Sequence, residues 1–90
     1  MDKKQEFTKD SFINATIKTK EETLFEGAVK TVSSINERGT FDVLPFHTNF
    51  ITLIRDYVVF NSGTDNEQKF EMEKGVLYVM NNEVNVYVGI

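Results

Sequence analysis

The stretch RGTFDVLPFH, residues 38–47, decides how this chain folds. Within it Phe41 and Val43 alternate with polar side chains, which is the period of a half-buried β-strand. Pro45 ends that strand or places it at a sheet edge, because proline has no N–H to donate to a ladder. We expect Phe41, Val43 and Leu44 to pack in the core. The stretch also holds the single proline and the single histidine of the chain, and its signal is architectural.

Upstream of this stretch the period of two continues. Residues 13–17 alternate apolar and polar side chains and predict a first strand. A second strand is predicted over about residues 24–35, with Gly27 marking a bulge or a close backbone approach. The turn formers of residues 36–39 separate it from the strand that ends at Pro45.

Downstream, the chain is predicted to continue as short strands joined by turns. Residues 50–54 form a short apolar run, and Asp56 is predicted to turn the chain into a strand over residues 57–60. The turn formers of residues 61–66 predict a loop. A further short strand over residues 69–72 follows that loop.

The last segment predicts a β-hairpin around Asn81 and Asn82. Asparagine tolerates the left-handed backbone that a two-residue type I′ turn demands at both positions. One face of the hairpin is then purely aliphatic and the other mixed, as expected where a single face meets a core. The register pairs Val79 with Val84, Leu77 with Val86, Tyr78 with Asn85 and Val76 with Tyr87.

These elements predict an all-β fold, a small β-sandwich of roughly seven to nine mainly antiparallel strands. Residues 1–11 are predicted to be a flexible N-terminal extension, because termini usually fray unless tied down. The alternative is a short docking arm anchored by Phe7. Residues 12–90 are predicted to be the sandwich domain.

Composition excludes several classes of protein. A net charge of −4 without a dense basic cluster argues against a nucleic-acid partner. The absence of cysteine removes disulfides and thiolate chemistry, and it mildly favours the cytosol. No apolar run approaches the ~20 residues that span a membrane, so no direct membrane insertion is expected.

Side chains able to perform catalysis are scarce. His47 is the only histidine, and no nucleophile motif accompanies it. A zinc site would need three or four ligands, and the chain has no glycine-rich phosphate loop. We therefore predict no catalytic, cofactor-binding or metal-binding residues, and no enzyme activity.

Three motifs occur together at characteristic separations. Residues 25–27 read Phe-Glu-Gly, an F-x-G element, and residues 38–49 follow the pattern E-G-x-x-G-I-L-P-G-H-A-P. Residues 73–79 and 84–86 follow S-G-G-x-x-E-V and V-x-V. Over about residues 12–88 the chain thereby resembles the N-terminal β-sandwich domain of the epsilon subunit of F-type ATP synthase, called delta in mitochondria.

Five of the chain's departures from this pattern bear on the shape of the loops or on charge. Asp42, Phe46 and Lys74 stand where the pattern has glycine, Asn49 replaces its second proline, and Arg38 replaces an acidic residue. If position 46 needs a positive φ, phenylalanine changes the backbone allowed there. The loop and its partner are then expected to differ from those of typical members.

The resemblance implies a non-catalytic central-stalk subunit that docks on the gamma subunit and the c-ring and couples ion-driven rotation to ATP synthesis. It implies a place at the cytoplasmic face of the bacterial inner membrane, within a peripheral complex, or otherwise in the cytoplasm. Typical bacterial members continue into a C-terminal helical hairpin that inhibits ATP hydrolysis and in some members binds ATP. The sequence ends at Ile90, so we expect no such hairpin and no ATP binding.

The resemblance also indicates which residues meet a partner. The segment 39–50 matches the loop region of the family near the gamma subunit and the c-ring. We expect Thr40, Phe46, His47 and Asn49 to be contacts. The alternative is a divergent, stand-alone sandwich that acts as an adaptor or regulator, and the lost glycines favour it.

Overall fold

A computed structural model of the chain describes residues 11–89, which form seven β-strands and no helix. The predicted all-β fold is confirmed. The strands are β1 (Ile13–Lys18), β2 (Thr23–Val29), β3 (Val32–Asn36), β4 (Gly39–Val43), β5 (Phe50–Phe60), β6 (Gln68–Met80) and β7 (Glu83–Val88).

The strands follow the order β2-β1-β7-β6-β5-β3-β4. Five of the six pairings are antiparallel, and only β1 and β7 run parallel. The prediction of mainly antiparallel strands is therefore confirmed.

The seven strands form one hydrogen-bonded sheet, and the long strands β5 and β6 are shared by its two layers, one with β2, β1 and β7 and the other with β3 and β4. The register of β5 and β6 shifts between Arg55 and Asp56, where Asp56 adopts a φ of 73°. The first half of β5 pairs only with the end of β6, whereas its second half also pairs with β3. A bulge of this kind bends a strand, and here it allows the two halves to belong to different layers.

The core lies between these layers and is almost entirely aliphatic. The ring of Phe25 on β2 lies 4.4 Å from that of Phe60 on β5, centroid to centroid. At the other end, the rings of Phe41 and Phe50 lie 6.1 Å apart. The buried members of the core are Ile13, Ala15, Ile17, Val29, Val32, Val43, Ile54, Val58, Phe60, Leu77, Val79, Val84, Val86 and Val88.

The last hairpin has the register that the sequence predicts, with all four residue pairs as expected. Asn81 and Asn82 have φ values of 51° and 66°, as a type I′ turn requires. Leu77, Val79, Val84 and Val86 are buried on one face.

The prediction of a single strand over residues 24–35 is wrong, because Lys30 and Thr31 separate two strands, β2 and β3. The Lys30 N–H donates to Oδ1 of Asn61 (2.7 Å), and the Asn61 N–H donates to the Thr31 carbonyl (3.1 Å). These bonds fix a corner at Lys30 and Thr31. Before the corner β2 pairs with β1, and after it β3 pairs with β5.

The turn predicted at Asp56 is also wrong, because Asp56 lies inside the continuous strand β5. Gly27 marks neither a bulge nor a close backbone approach. The irregularity between β1 and β2 lies at Ile17 and Lys18, and only the Phe25 ring lies near the missing Cβ of Gly27. The predicted extension of residues 1–11 falls, apart from Ser11, outside the described residues.

Candidate partner interface

The loop between β4 and β5, residues 44–49, contains three of the four predicted contact residues. Pro45 ends β4 as predicted. The N–H of His47 donates to the carbonyl of Leu44 (3.2 Å) and closes a four-residue turn. Proline at the second position and a φ of 67° at the third, Phe46, are the features of a type II turn.

Phe46 adopts a backbone conformation that normally selects glycine. A left-handed φ costs a residue with a side chain roughly 1–2 kcal/mol, because Cβ approaches the following carbonyl. The glycine in the family pattern at this position thus has a physical reason. The chain keeps the glycine-type turn and adds an aromatic ring to it, about half of whose surface is exposed (49%).

Two asparagine amides hold this loop against the tip of the β6–β7 hairpin. The N–H of Phe46 donates to Oδ1 of Asn82 at 2.9 Å. In the opposite direction, the N–H of Asn81 donates to Oδ1 of Asn49, also at 2.9 Å. Asn49 was predicted to contact a partner, but its side-chain amide oxygen accepts a hydrogen bond from within the chain.

His47 lies on the exposed side of the loop. Its Nδ1 is 2.8 Å from the carbonyl oxygen of Thr48, and this hydrogen bond requires a proton on Nδ1. Its ring centroid lies 5.2 Å from that of Phe50, which in turn packs against the core. These contacts orient the imidazole while leaving it accessible to a partner.

Thr40 is not brought together with the other three residues. It lies on β4 opposite Ile35, three residues before the strand ends. Three residues of strand span about 10 Å. Thr40 is exposed in a groove whose walls include Asp42, Tyr57 and Lys69. As a contact residue, it would belong to a separate part of an interface.

Exposed apolar side chains surround the hairpin tip. Leu44, expected in the core, is about half exposed (48%) because β4 ends at Val43 and Leu44 is the first residue of the turn that follows. Phe12, Phe46 and Met80 are exposed to a similar degree. We refer to Phe12, Leu44, Phe46 and Met80 as the tip surface.

The outer face of β5, β6 and β7 carries a second exposed apolar surface, which was not predicted from the sequence. Ile51 (60% exposed) pairs with Tyr78, and Leu53 (72%) lies one step further along β5. Tyr87 on β7 continues this face. Ile51 and Leu53 alternate along β5 with the less exposed Phe50, Thr52 and Ile54. A strand period of two, applied to the apolar run of residues 50–54, could have placed Ile51 and Leu53 on the outer face.

Residues 11–89 contain no group of three or more His, Cys, Asp or Glu side chains that could hold a metal ion. Within the same residues no helix has the length and apolarity needed to cross a bilayer. What the two surfaces provide is apolar and aromatic area, which suits binding of another protein.

Comparison with known proteins gives a consistent result. Residues 13–89 match the family model described as "ATP synthase, Delta/Epsilon chain, beta-sandwich domain". The ATP synthase epsilon chain of Endomicrobium trichonymphae is 35% identical over 63 residues, which are 70% of this chain and 46% of that one. An epsilon chain of Clostridium botulinum (strain Eklund 17B / Type B) is 28% identical over 79 residues, 87% of this chain and 58% of that one.

Solved structures show the same fold. A chain of the Euglena gracilis mitochondrial ATP synthase (OSCP/F1/c-ring) superposes with a TM-score of 0.78 at 13% identity, over 92% of this chain and 54% of that one. A chain of the Tetrahymena thermophila mitochondrial ATP synthase (central stalk/c-ring) gives 0.67 at 16% identity, over 90% and 66%. This chain thus spans about half to two thirds of the length of these relatives.

Proposed function

Because the chain belongs to the delta/epsilon-chain β-sandwich family of ATP synthase, we propose that it is a non-catalytic, epsilon-like subunit of a rotary ATP synthase. In this role it docks on the gamma subunit and the c-ring and helps couple ion-driven rotation to ATP synthesis. It works within a complex at the membrane, on the cytoplasmic face in a bacterium. The observation that carries this proposal is the family match over residues 13–89.

The geometry of the tip surface supports this role. Phe46 presents an aromatic ring on a turn that hydrogen bonds hold to a rigid hairpin. His47 lies beside it, with its imidazole oriented by Phe50. Aromatic side chains on preorganised backbone are typical anchors of protein interfaces, because little conformational freedom is lost on binding. We assign Phe46 and His47 to the docking contact with the gamma subunit.

The outer face of β5, β6 and β7 supports a second contact. A subunit that lies between two partners needs enough exposed surface to contact both. The tip surface lies at the end of the sandwich, whereas Ile51, Leu53, Tyr78 and Tyr87 lie along one of its faces. Met80 lies two residues from Tyr78 on the same face of β6, so the two surfaces adjoin there. Two apolar surfaces of this kind fit docking on both the gamma subunit and the c-ring.

One observation favours a second candidate function. Phe46 occupies a left-handed position where the family pattern has glycine, and it adds a ring where typical members have none. A divergent adaptor or regulator that uses the same sandwich for a different partner would show such a change. The two candidates differ in whether the gamma subunit of the same organism binds.

Phe46→Ala tests the docking contact. We expect stability to change by no more than about 0.5 kcal/mol, as at other exposed sites, and gamma affinity to fall about tenfold, which corresponds to ~1.4 kcal/mol. Isothermal titration calorimetry of gamma with the 90-residue chain measures the affinity, and urea unfolding measures the stability.

Leu24→Ala is the matched control, since Leu24 is similarly exposed (43%) but lies on β2. It should leave gamma affinity unchanged. Equal gamma affinities for Phe46→Ala and the unaltered chain would exclude Phe46 from the contact with gamma. Failure of the unaltered, folded chain to bind gamma would favour the adaptor.

A further inference from the structure

The side chain of Asn82 connects three distant segments of the chain. Its Oδ1 accepts the N–H of Phe46 (2.9 Å), and its Nδ2 donates to the carbonyl of Phe12 (2.6 Å). The backbone carbonyl of Asn82 accepts a hydrogen bond from the N–H of Asn14 at 3.2 Å. One residue at the hairpin tip therefore ties the β4–β5 loop and the start of β1 to the same point. We call this set of contacts the Asn82 bridge.

Asparagine meets several requirements at this position together. The φ of 66° at position 82 favours Gly, Asn or Asp. The bond from Phe46 needs an acceptor, and the bond to Phe12 needs a donor. A carboxamide has both, whereas an ionised carboxylate only accepts and glycine has no side chain. The type I′ turn alone would be satisfied as well by glycine.

The Asn82 bridge acts on the residue that most needs support. Phe46 lies in the left-handed region, where a bulky residue persists only when its surroundings determine the conformation. Oδ1 of Asn82 accepts the N–H of this same residue. If the bond is removed, an extended φ becomes more favourable for Phe46, and the ring then points in a different direction.

We propose that Asn82 is a positioning residue: it holds the left-handed turn at Phe46 and thereby presents the tip surface for docking on gamma. The inference rests on the proposed function, but its structural part can be measured in the chain alone. Asn82 acts through Phe46 and needs no contact of its own with the partner.

Asn82→Gly removes both side-chain bonds of the Asn82 bridge, keeps the backbone bond to Asn14 and spares the hairpin. The turn becomes Asn-Gly, the pair that a type I′ turn prefers most, so β6 and β7 should remain paired. We expect amide hydrogen exchange at Phe46, followed by NMR, to accelerate about tenfold or more while amides within the hairpin exchange as before. Gamma affinity should fall about tenfold.

Asn81→Gly is the matched control. It keeps the backbone N–H that donates to Asn49, and the turn still accepts glycine there. Exchange at Phe46 and gamma affinity should stay within about twofold of the unaltered chain.

A second pair of variants separates positioning from general stabilisation. The His47 N–H closes the turn, and its exchange rate reports whether the turn is formed. With Phe46 present, Asn82→Gly should accelerate exchange at His47. In a Phe46→Gly background it should have little effect, because glycine adopts a positive φ without support. Equal acceleration in both backgrounds would contradict the role assigned to Asn82.

The measurements of gamma binding distinguish the proposed function from the positioning role of Asn82. Lack of gamma binding by the unaltered chain would contradict the proposed function. Normal gamma binding by Asn82→Gly, or unchanged exchange at Phe46 in that variant, would contradict the positioning role alone. Loss of both protection and affinity in Asn82→Gly, with Asn81→Gly unaffected, is the result that the positioning role predicts.

Discussion

Replacing Leu77 by alanine is expected to lower the free energy of unfolding by about 2–5 kcal/mol. Leu77 is fully buried on the inner face of β6, opposite Val86. Truncation removes apolar contacts and leaves a cavity that the neighbouring strands cannot close, because each is held by its ladder. Urea unfolding followed by far-ultraviolet circular dichroism measures the difference.

Leu53→Ala is the matched control, since it makes the same chemical change at a leucine that is 72% exposed. Its free energy of unfolding should stay within about 0.5 kcal/mol of the unaltered chain. Similar losses for the two variants would contradict the assignment of inner and outer faces.

The second large effect is expected for Gly75→Ala. A Cβ at this position would lie 2.6 Å from the carbonyl oxygen of Tyr87 and 3.2 Å from Val88 Cγ1. A backbone carbonyl cannot rotate away as a side chain can, so β6 and β7 would have to separate. We expect a loss near the upper end of the ~1–3 kcal/mol seen when cores are overpacked. Thermal and urea unfolding of the variant measure it.

Gly27→Ala provides the comparison, because Gly27 also lies in a strand but the nearest atom to its added Cβ is the edge of the Phe25 ring at 3.4 Å, an ordinary van der Waals distance. There we expect no loss, and a gain of up to ~1 kcal/mol from the stiffer unfolded chain. If Gly75→Ala proved as stable as Gly27→Ala, the close packing of β6 against β7 would be wrong.

Local patterns were sufficient where neighbouring residues determine the structure. The turn at Asn81 and Asn82 sets the register of β6 and β7, and every predicted pair is confirmed. Pro45 ends β4 because proline cannot extend a ladder. The left-handed φ that the family pattern requires at position 46 is present, even though the residue is phenylalanine.

Long-range contacts explain most of what the sequence pattern missed. The separation of β2 from β3 at Lys30 depends on a hydrogen bond to Asn61, which is 31 residues away. The continuity of β5 through Asp56 depends on pairing with β6, since the local sequence resembles a turn. The parallel pairing of β1 with β7 has no local signal at all.

In the candidate interface, too, some residues could be predicted from the sequence and others could not. Phe46 and His47 stand out in the sequence because one replaces a glycine of the family pattern and the other is the only histidine. Asn82 does not stand out, because an asparagine at a hairpin tip is fully explained by the turn. Its bond to Phe46 joins residues 36 positions apart and becomes visible only in the folded chain.

The most direct test of the account is co-elution of the unaltered chain with the gamma subunit of the same organism in size-exclusion chromatography with light scattering. We predict a complex containing one copy of each protein, which then associates with the c-ring when that is added. Separate elution at tens of micromolar, with circular dichroism showing a folded chain, would contradict a central-stalk role and direct the search to a different partner for the tip surface.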